Sequence, residues 1–257
     1  MQLTVLSENT TSRADITAEH GLSLYIEACG RRILFDMGQG ALFAENAKAL
    51  GISLAEVEIA ILSHGHYDHG GGLSTFLTEN SHAPIYHHAD AFLPHYHGSE
   101  RYIGLDSALA GHPRLIPTRD TATLGEGLTL YTYNALPRRH PIAGTDLTRR
   151  TGDAFLPDDF CHEQYLEIRE GGRRILISGC SHKGILNVMA WATPDIFIGG
   201  FHTSALSEDE ALRVADALSR YPTRYYTCHC TGCEAYRHML AALPTLGYLA
   251  AGDTLTL

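Results

Sequence analysis

Glu58-Ile59-Ala60-Ile61-Leu62-Ser63 runs without a break into His64-Gly65-His66-Tyr67-Asp68-His69, and Gly70-Gly71-Gly72 follows. The first of these segments has the length and apolar character of a buried strand. The second packs four metal-binding side chains into six positions, on the loop where that strand must end. In an extended backbone, residues two apart face the same way. His64 and His66 can therefore grip one ion while Asp68 and His69 turn toward a second. Imidazole and carboxylate suit Zn²⁺, Fe²⁺ or Mn²⁺ better than Ca²⁺ or Mg²⁺. The alternative reading of the run is a polar, histidine-rich surface loop. The glycine triplet lets the chain turn sharply before a short helix near Leu73 to Leu77.

Working outward, the residues before the run alternate short apolar stretches with turn residues: Leu3 to Leu6, Leu22 to Ala28 and Arg32 to Phe35, with Gly30 marking a hairpin. Ala41 to Leu50 are good helix formers, and Gly51 sits where a C-cap glycine belongs. After the run, Pro84 to His87 reads as a strand. About Pro94 to Pro113 shows no sustained periodicity and reads as a long surface excursion, of the kind that is often functional. With His87 and His88, its His95 and His97 are candidates to line the mouth of a site. Further strands are expected at Leu115 to Pro117, Leu128 to Tyr133, Tyr165 to Ile168, Arg174 to Ser178 and Pro194 to Ile198. Helices are expected at Glu208 to Ser219, where Ser207 and Glu210 suit a capping box, and at Glu234 to Leu243. This order predicts two similar α/β halves with their sheets face to face in a single domain, 1–257.

Composition narrows the partners. A formal net charge of -10 gives no footprint for a phosphate backbone, so nucleic acid is not expected. No run approaches the roughly 18 apolar residues of a membrane span, and Met1 to Leu6 does not read as a signal peptide. Six cysteines, clustered late and unevenly, do not make a secreted disulfide framework, which points to a reducing cytoplasm. A small-molecule substrate is the expected partner, and the oligomeric state is left open. Sixteen histidines are many for 257 residues.

One loop cannot close two metal sites. His162 stands just before a strand, and His229 ends the run Tyr225-Tyr226-Thr227-Cys228; both are strand-edge positions. Asp36 after its strand, the His-x-His-x-Asp-His run, His162, Gly179-Cys180 and His229 together resemble the ordered metal motifs of the metallo-β-lactamase superfamily, along essentially the whole chain. The resemblance implies an α/β fold, a four-layer αβ/βα sandwich with metals at the sheet ends. It implies that His64, His66 and His162 hold the first metal, that Asp68, His69 and His229 hold the second, and that Asp36 buttresses the histidine loop. A narrower set resembles the branch named after the dihydropterin ribofuranosyl-aminobenzene phosphate synthase: His162-Glu163-Gln164, Gly179-Cys180-Ser181-His182 with Gly184, Gly199-Gly200-Phe201-His202, and His229-Cys230-Thr231-Gly232.

The chain departs from the broad pattern at Cys180, where many members carry a metal-bridging Asp. A thiolate can replace that carboxylate on the second metal; the other reading is a buried, inert thiol. His182 is a competing ligand or a substrate-facing acid. His202 is either a substrate contact or a loop histidine capping the next helix. Cys228-x-Cys230-x-x-Cys233 lacks the paired arms of a structural zinc site, so Cys230 and Cys233 read as packing residues. His20, His82, His112, His140 and His238 read as surface.

The leading functional expectation is a hydrolase with two divalent ions, zinc foremost and Fe or Mn as alternatives. It would act on a small ester, thioester, lactone or phosphate-bearing compound, with Asp68, His182 and His202 in catalytic roles. The alternatives are a transferase like the synthase of that branch, with Arg101, Arg138 and Arg139 gripping phosphate, and a non-hydrolytic di-iron or metal-binding protein. Against the last, His66 stands where di-iron members usually carry Glu.

Overall fold

The computed structural model describes residues 1–142 and 146–257. The first half lays down β1 (Gln2–Ser7), β2 (Ser23–Ala28), β3 (Arg31–Phe35), α1 (Leu42–Ala49), β4 (Ile59–Ile61), α2 (Tyr67–Gly70), α3 (Leu73–Glu79), β5 (Ile85–His88), β6 (His95–His97), β7 (Arg101–Tyr102) and β8 (Leu115–Thr118). The second half adds β9 (Thr121–Gly125), β10 (Leu128–Tyr131), β11 (Leu147–Thr151), β12 (Ala154–Pro157), β13 (Tyr165–Glu170), β14 (Arg173–Ile177) and α4 (Ile185–Ala192). It ends with β15 (Ile196–Ile198), α5 (Glu208–Ser219), β16 (Arg224–Thr227), α6 (Cys233–Met239), β17 (Gly247–Tyr248) and β18 (Thr254–Thr256).

Two seven-stranded sheets result, ordered β18-β1-β2-β3-β4-β5-β8 and β17-β16-β15-β14-β13-β10-β9. Their central strands are apolar on both faces, as strands covered on both sides must be. Ile33 and Phe35, Ile59 and Ile61, Ile175 and Ile177, and Ile196 and Ile198 point into the layer between the sheets. The intervening Leu34 and Ala60 meet Phe43 and Ala47 of α1 and Leu73 and Phe76 of α3. Leu176 and Phe197 meet Val188 of α4, Ala215 of α5 and Met239 of α6. Helix, sheet, sheet, helix is the four-layer sandwich that the resemblance implied.

Residues 94–113 carry β6, β7 and a 3-10 turn at Ser107–Leu109, and β6 pairs with β11 in a small sheet ordered β12-β11-β6-β7. The run 64–69 is extended only as far as His66, after which α2 takes Asp68 and His69 round a helical turn. The glycine triplet serves a purpose other than a sharp turn. None of the three has positive φ. A Cβ on Gly71 would stand 2.4 Å from Gln39 O, and one on Gly72 2.1 Å from Met37 O, so these glycines let α2 and α3 lie directly on the backbone of residues 37–40.

Candidate metal centre

β3 and β4 run parallel, as do β14, β15 and β16, so their C-terminal ends share one edge of each sheet. That edge is where open α/β sheets place ligands. Asp36 follows β3, Ser63 to His69 follow β4, Cys180 to Lys183 follow β14, Gly199 to His202 follow β15, and His229 follows β16. Asp36, Ser181, His202 and His229 all hold positive φ, so the loops carry backbone strain at the site itself.

Asp36 organises the first loop. Its carboxylate accepts the Ser63 amide (2.7 Å) and the Ser63 hydroxyl (2.7 Å), and takes the Nδ1 proton of His69 at 2.6 Å. Because Ser63 Oγ donates to Asp36, it accepts from His64 Nδ1 at 2.8 Å. Asn9 Oδ1 accepts from His229 Nδ1 at 2.7 Å. In all three rings Nδ1 carries a proton held by its outer partner and Nε2 turns inward, the orientation that outer hydrogen bonds impose on metal-binding imidazoles.

The inward atoms crowd together. His69 Nε2 lies 3.1 Å from both Cys180 Sγ and His229 Nε2. Asp68 Oδ2 lies 3.3 Å from His229 Nε2 and 3.9 Å from His69 Nε2. The structure thus gathers Asp68, His69, Cys180 and His229 into one donor set. His64 Nε2 is 3.2 Å from His182 Nε2, and donors from His64, His66 and His182 lie within 4.8 Å of one another.

His162 stands further back. The Gly65 amide donates to its Nδ1 at 2.9 Å, which puts the ring proton on Nε2, facing Asp158 Oδ2 at 3.4 Å. Asp158 also takes the Nδ1 proton of His95 at 2.7 Å, and donors from His66, His95, Asp158 and His162 form a further buried group. His95 thus lies deeper than the mouth position its sequence suggests, and Asp158 joins the site without a sequence motif to mark it. His95 opens β6 and Asp158 follows β12, positions that give no spacing signal because the small sheet is what brings them to the site. His20, read as surface, reaches Asp68 Oδ2 at 3.2 Å while remaining largely exposed.

Two further buried carboxylates hold the loops. Glu163 accepts the His182 amide at 2.6 Å and the Lys183 amide at 3.1 Å, and Lys183 Nζ donates to the Thr132 and Glu163 carbonyls. Glu8 accepts the His229 amide at 2.6 Å and the Tyr248 hydroxyl at 2.8 Å. Of the late cysteines, Cys228 packs in the layer between the sheets, Cys230 Sγ contacts Cys180 O at 3.5 Å, and Cys233 Sγ faces Tyr248.

Burial and crowded neighbours push His64, His66 and His182 well below the usual histidine pKa, and burial takes His162 and His202 down to about 4. These rings are neutral, as ligands must be. His69 moves the other way: burial opposes its charge, but Asp36 and Asp68 raise it to about 9. Burial works to raise Asp68, yet the neighbouring His69, His20 and His229 rings hold it well below the usual range. Burial and Cys230 lift the Cys180 thiol, so as a ligand it needs the charge of an ion to shed its proton.

The residues fit divalent ions. Inward-facing Nε2 atoms set 3.1–3.2 Å apart repel unless a cation or proton lies between them, and the buried Nε2 atoms of His66 and His95 have no hydrogen-bond partner. The donors open onto a cleft of about 370 Å³ that His66, Asp68, Cys180, His202 and His229 help to line, with Arg101 and His97 on its rim.

The fold and this set of side chains define a metal-site protein of the four-layer αβ/βα class. The profile described as "Metallo-beta-lactamase superfamily" matches residues 16–220, and the chain belongs to that superfamily. It is 31% identical to the uncharacterised protein MJ0448 of Methanocaldococcus jannaschii over 241 residues, covering 90% of this chain and 91% of the relative. It is 28% identical to the 7,8-dihydropterin-6-methyl-4-(beta-D-ribofuranosyl)-aminobenzene-5'-phosphate synthase of the same organism, covering 85% of this chain and 83% of that one. Among solved structures it superposes on Tm1679, described as a metal-dependent hydrolase of the beta-lactamase superfamily, with a TM-score of 0.86, 27% identity, and coverage of 100% and 99%. Zn(2+)-bound PqqB from Methylobacterium extorquens shares the fold at TM-score 0.59 and 12% identity over the full length of both chains.

Proposed function

We propose that the protein is a binuclear metal-dependent hydrolase of a small ester, thioester, lactone or phosphate-bearing compound. The observation that carries the reading is the pair of abutting donor sets, Asp68, His69, Cys180 and His229 beside His64, His66 and His182, with Asp68 facing the open cleft. These residues would hold two divalent ions, zinc foremost, which would supply Lewis acidity and lower the pKa of a water toward neutrality. Asp68 keeps its carboxylate charged and directs it at the attacking water. His202, neutral and at the cleft wall, offers a hydrogen bond to the substrate oxygen on which negative charge develops. His182 shares the ring contact with His202, with centroids 4.4 Å apart, and holds it in place.

The test is a panel of esters, thioesters, lactones and phosphodiesters offered to metal-replete protein and to His66→Ala, with zinc, iron and manganese measured on both. Turnover that depends on His66 and on two equivalents of bound metal is expected; replete protein that turns over no member overturns the reading. The 28% identity to a synthase supports a second reading, transfer of an activated ribose phosphate to an aromatic acid. Pyrophosphate release from phosphoribosyl pyrophosphate and a hydroxybenzoate would establish it in place of the first.

A further inference from the structure

A second cavity, of about 70 Å³, adjoins the metal cleft, and His182 and His202 stand in the walls of both. Beyond those two rings, Ser181 and Thr203 add hydroxyls, and most of the remaining lining is aliphatic and aromatic: Ile142, Ile185, Leu186, Phe201, Leu206 and Val214. Ile185 and Phe201 are buried, and the other four are half-buried around the opening. One wall is braced rather than loose. Asn187 on α4 accepts the Arg139 and His140 amides at 2.9 and 2.8 Å and returns its own amide to the His140 carbonyl at 2.8 Å, and His140 and Pro141 border the cavity. The other end of the composite site differs. Around the cleft rim stand His20, His97 and Arg101, whose guanidinium donates to the Tyr67 hydroxyl at 3.0 Å.

A substrate whose scissile group lies at the metal donors and against His202 therefore reaches an apolar recess on one side and a polar, cationic rim on the other. Resting on the hydrolase reading above, we infer that the substrate is an ester or thioester carrying a short aliphatic acyl group, and that this cavity seats the acyl chain. A volume of 70 Å³ is roughly half of the ~150 Å³ that admits a benzene ring, so about three carbons fit beyond the carbonyl. In the reaction a carbon–oxygen bond forms to water as the bond to the leaving group breaks. The water's proton ends on the departing alcohol or thiol, and no oxidant or reductant is needed.

The experiment is a series of acetyl, propionyl, butyryl and octanoyl thioesters with metal-replete protein. Each methylene the cavity buries raises kcat/KM about fourfold, up to butyryl, and octanoyl falls back. Val214→Phe fills the recess and lowers the butyryl-to-acetyl ratio, whereas Leu206→Ala enlarges it and moves the optimum to a longer chain. Two variants with opposite expected shifts guard against simple misfolding. A wild-type profile flat across the series, or a ratio unmoved by both variants, overturns the inference. Binding of butyrate against acetate, followed by NMR line broadening, separates the two levels. Butyrate preference lost in Val214→Phe, without turnover of any thioester, sinks the hydrolase reading and supports the pocket. Turnover without any chain-length preference does the reverse.

Discussion

Asp36 shows how much one residue fixes at this site. Through two oxygens it sets the Ser63 amide, the tautomer of His69 and, through Ser63 Oγ, the tautomer of His64. Asn at this position can receive only part of that set, so Asp36→Asn is expected to weaken metal binding by about 10- to 100-fold, read by competition with a chromophoric chelator. The neutral histidines also set an acid limit. His162 and His202, with folded pKa values of about 4, stay unprotonated while the unfolded chain takes up protons below about 6.5. Between those values the unfolded state binds more protons, so the stability of metal-free protein should fall as pH drops from 6.5 to 4. His69, raised to about 9, contributes fully below 6.5 and loses its contribution only as pH climbs toward 9, so it does not offset the acid loss. Urea midpoints of chelator-treated protein at pH 7 and pH 5 check this; equal midpoints would contradict it.

At the scale of elements, local chemistry was readable where one residue decides a boundary. The Cys29-Gly30 turn with positive φ makes the β2–β3 hairpin, Gly51 ends α1, and the Ser207–Glu210 capping box opens α5. α4 was not readable, because Ile185–Ala192 is apolar nearly all round and shows no polar face. β11 and β12 were missed because their half- to fully exposed residues gain strand geometry from pairing with each other and with β6. The glycine triplet was seen, but its reason was tertiary. Gly72→Ala should cost about 2 kcal/mol or more and loosen metal binding, since a methyl there meets the Met37 carbonyl. Gly40→Ala, with nothing within 4 Å, serves as the control and should leave the thermal midpoint unmoved.

On the scale of the whole molecule, the His64 to His69 run was legible because its donors are adjacent in sequence. His95 and Asp158 were not, since only the folded small sheet joins residues 63 positions apart. The metal donors also straddle the sandwich, with His64 to His69 hung from the first sheet and Cys180, His182 and His229 from the second. On the binuclear reading, ions held between them would tie the halves together. Metal removal should therefore destabilise the entire chain by about 2.7 kcal/mol for each ion present at a hundred times its Kd, and lower its melting temperature in one transition. Calorimetry with and without chelator reads this, and an early, separate melting of one half would refute it.

The hold of Glu8 on the His229 amide spans 221 positions. On the binuclear reading, a ribosome must deliver nearly the full chain before the second donor set can close, although the His64 to His69 run emerges early. Until then the run's donors would stand open to any divalent ion, and the ion finally enclosed would be set by what the folding compartment supplies as the last loops close.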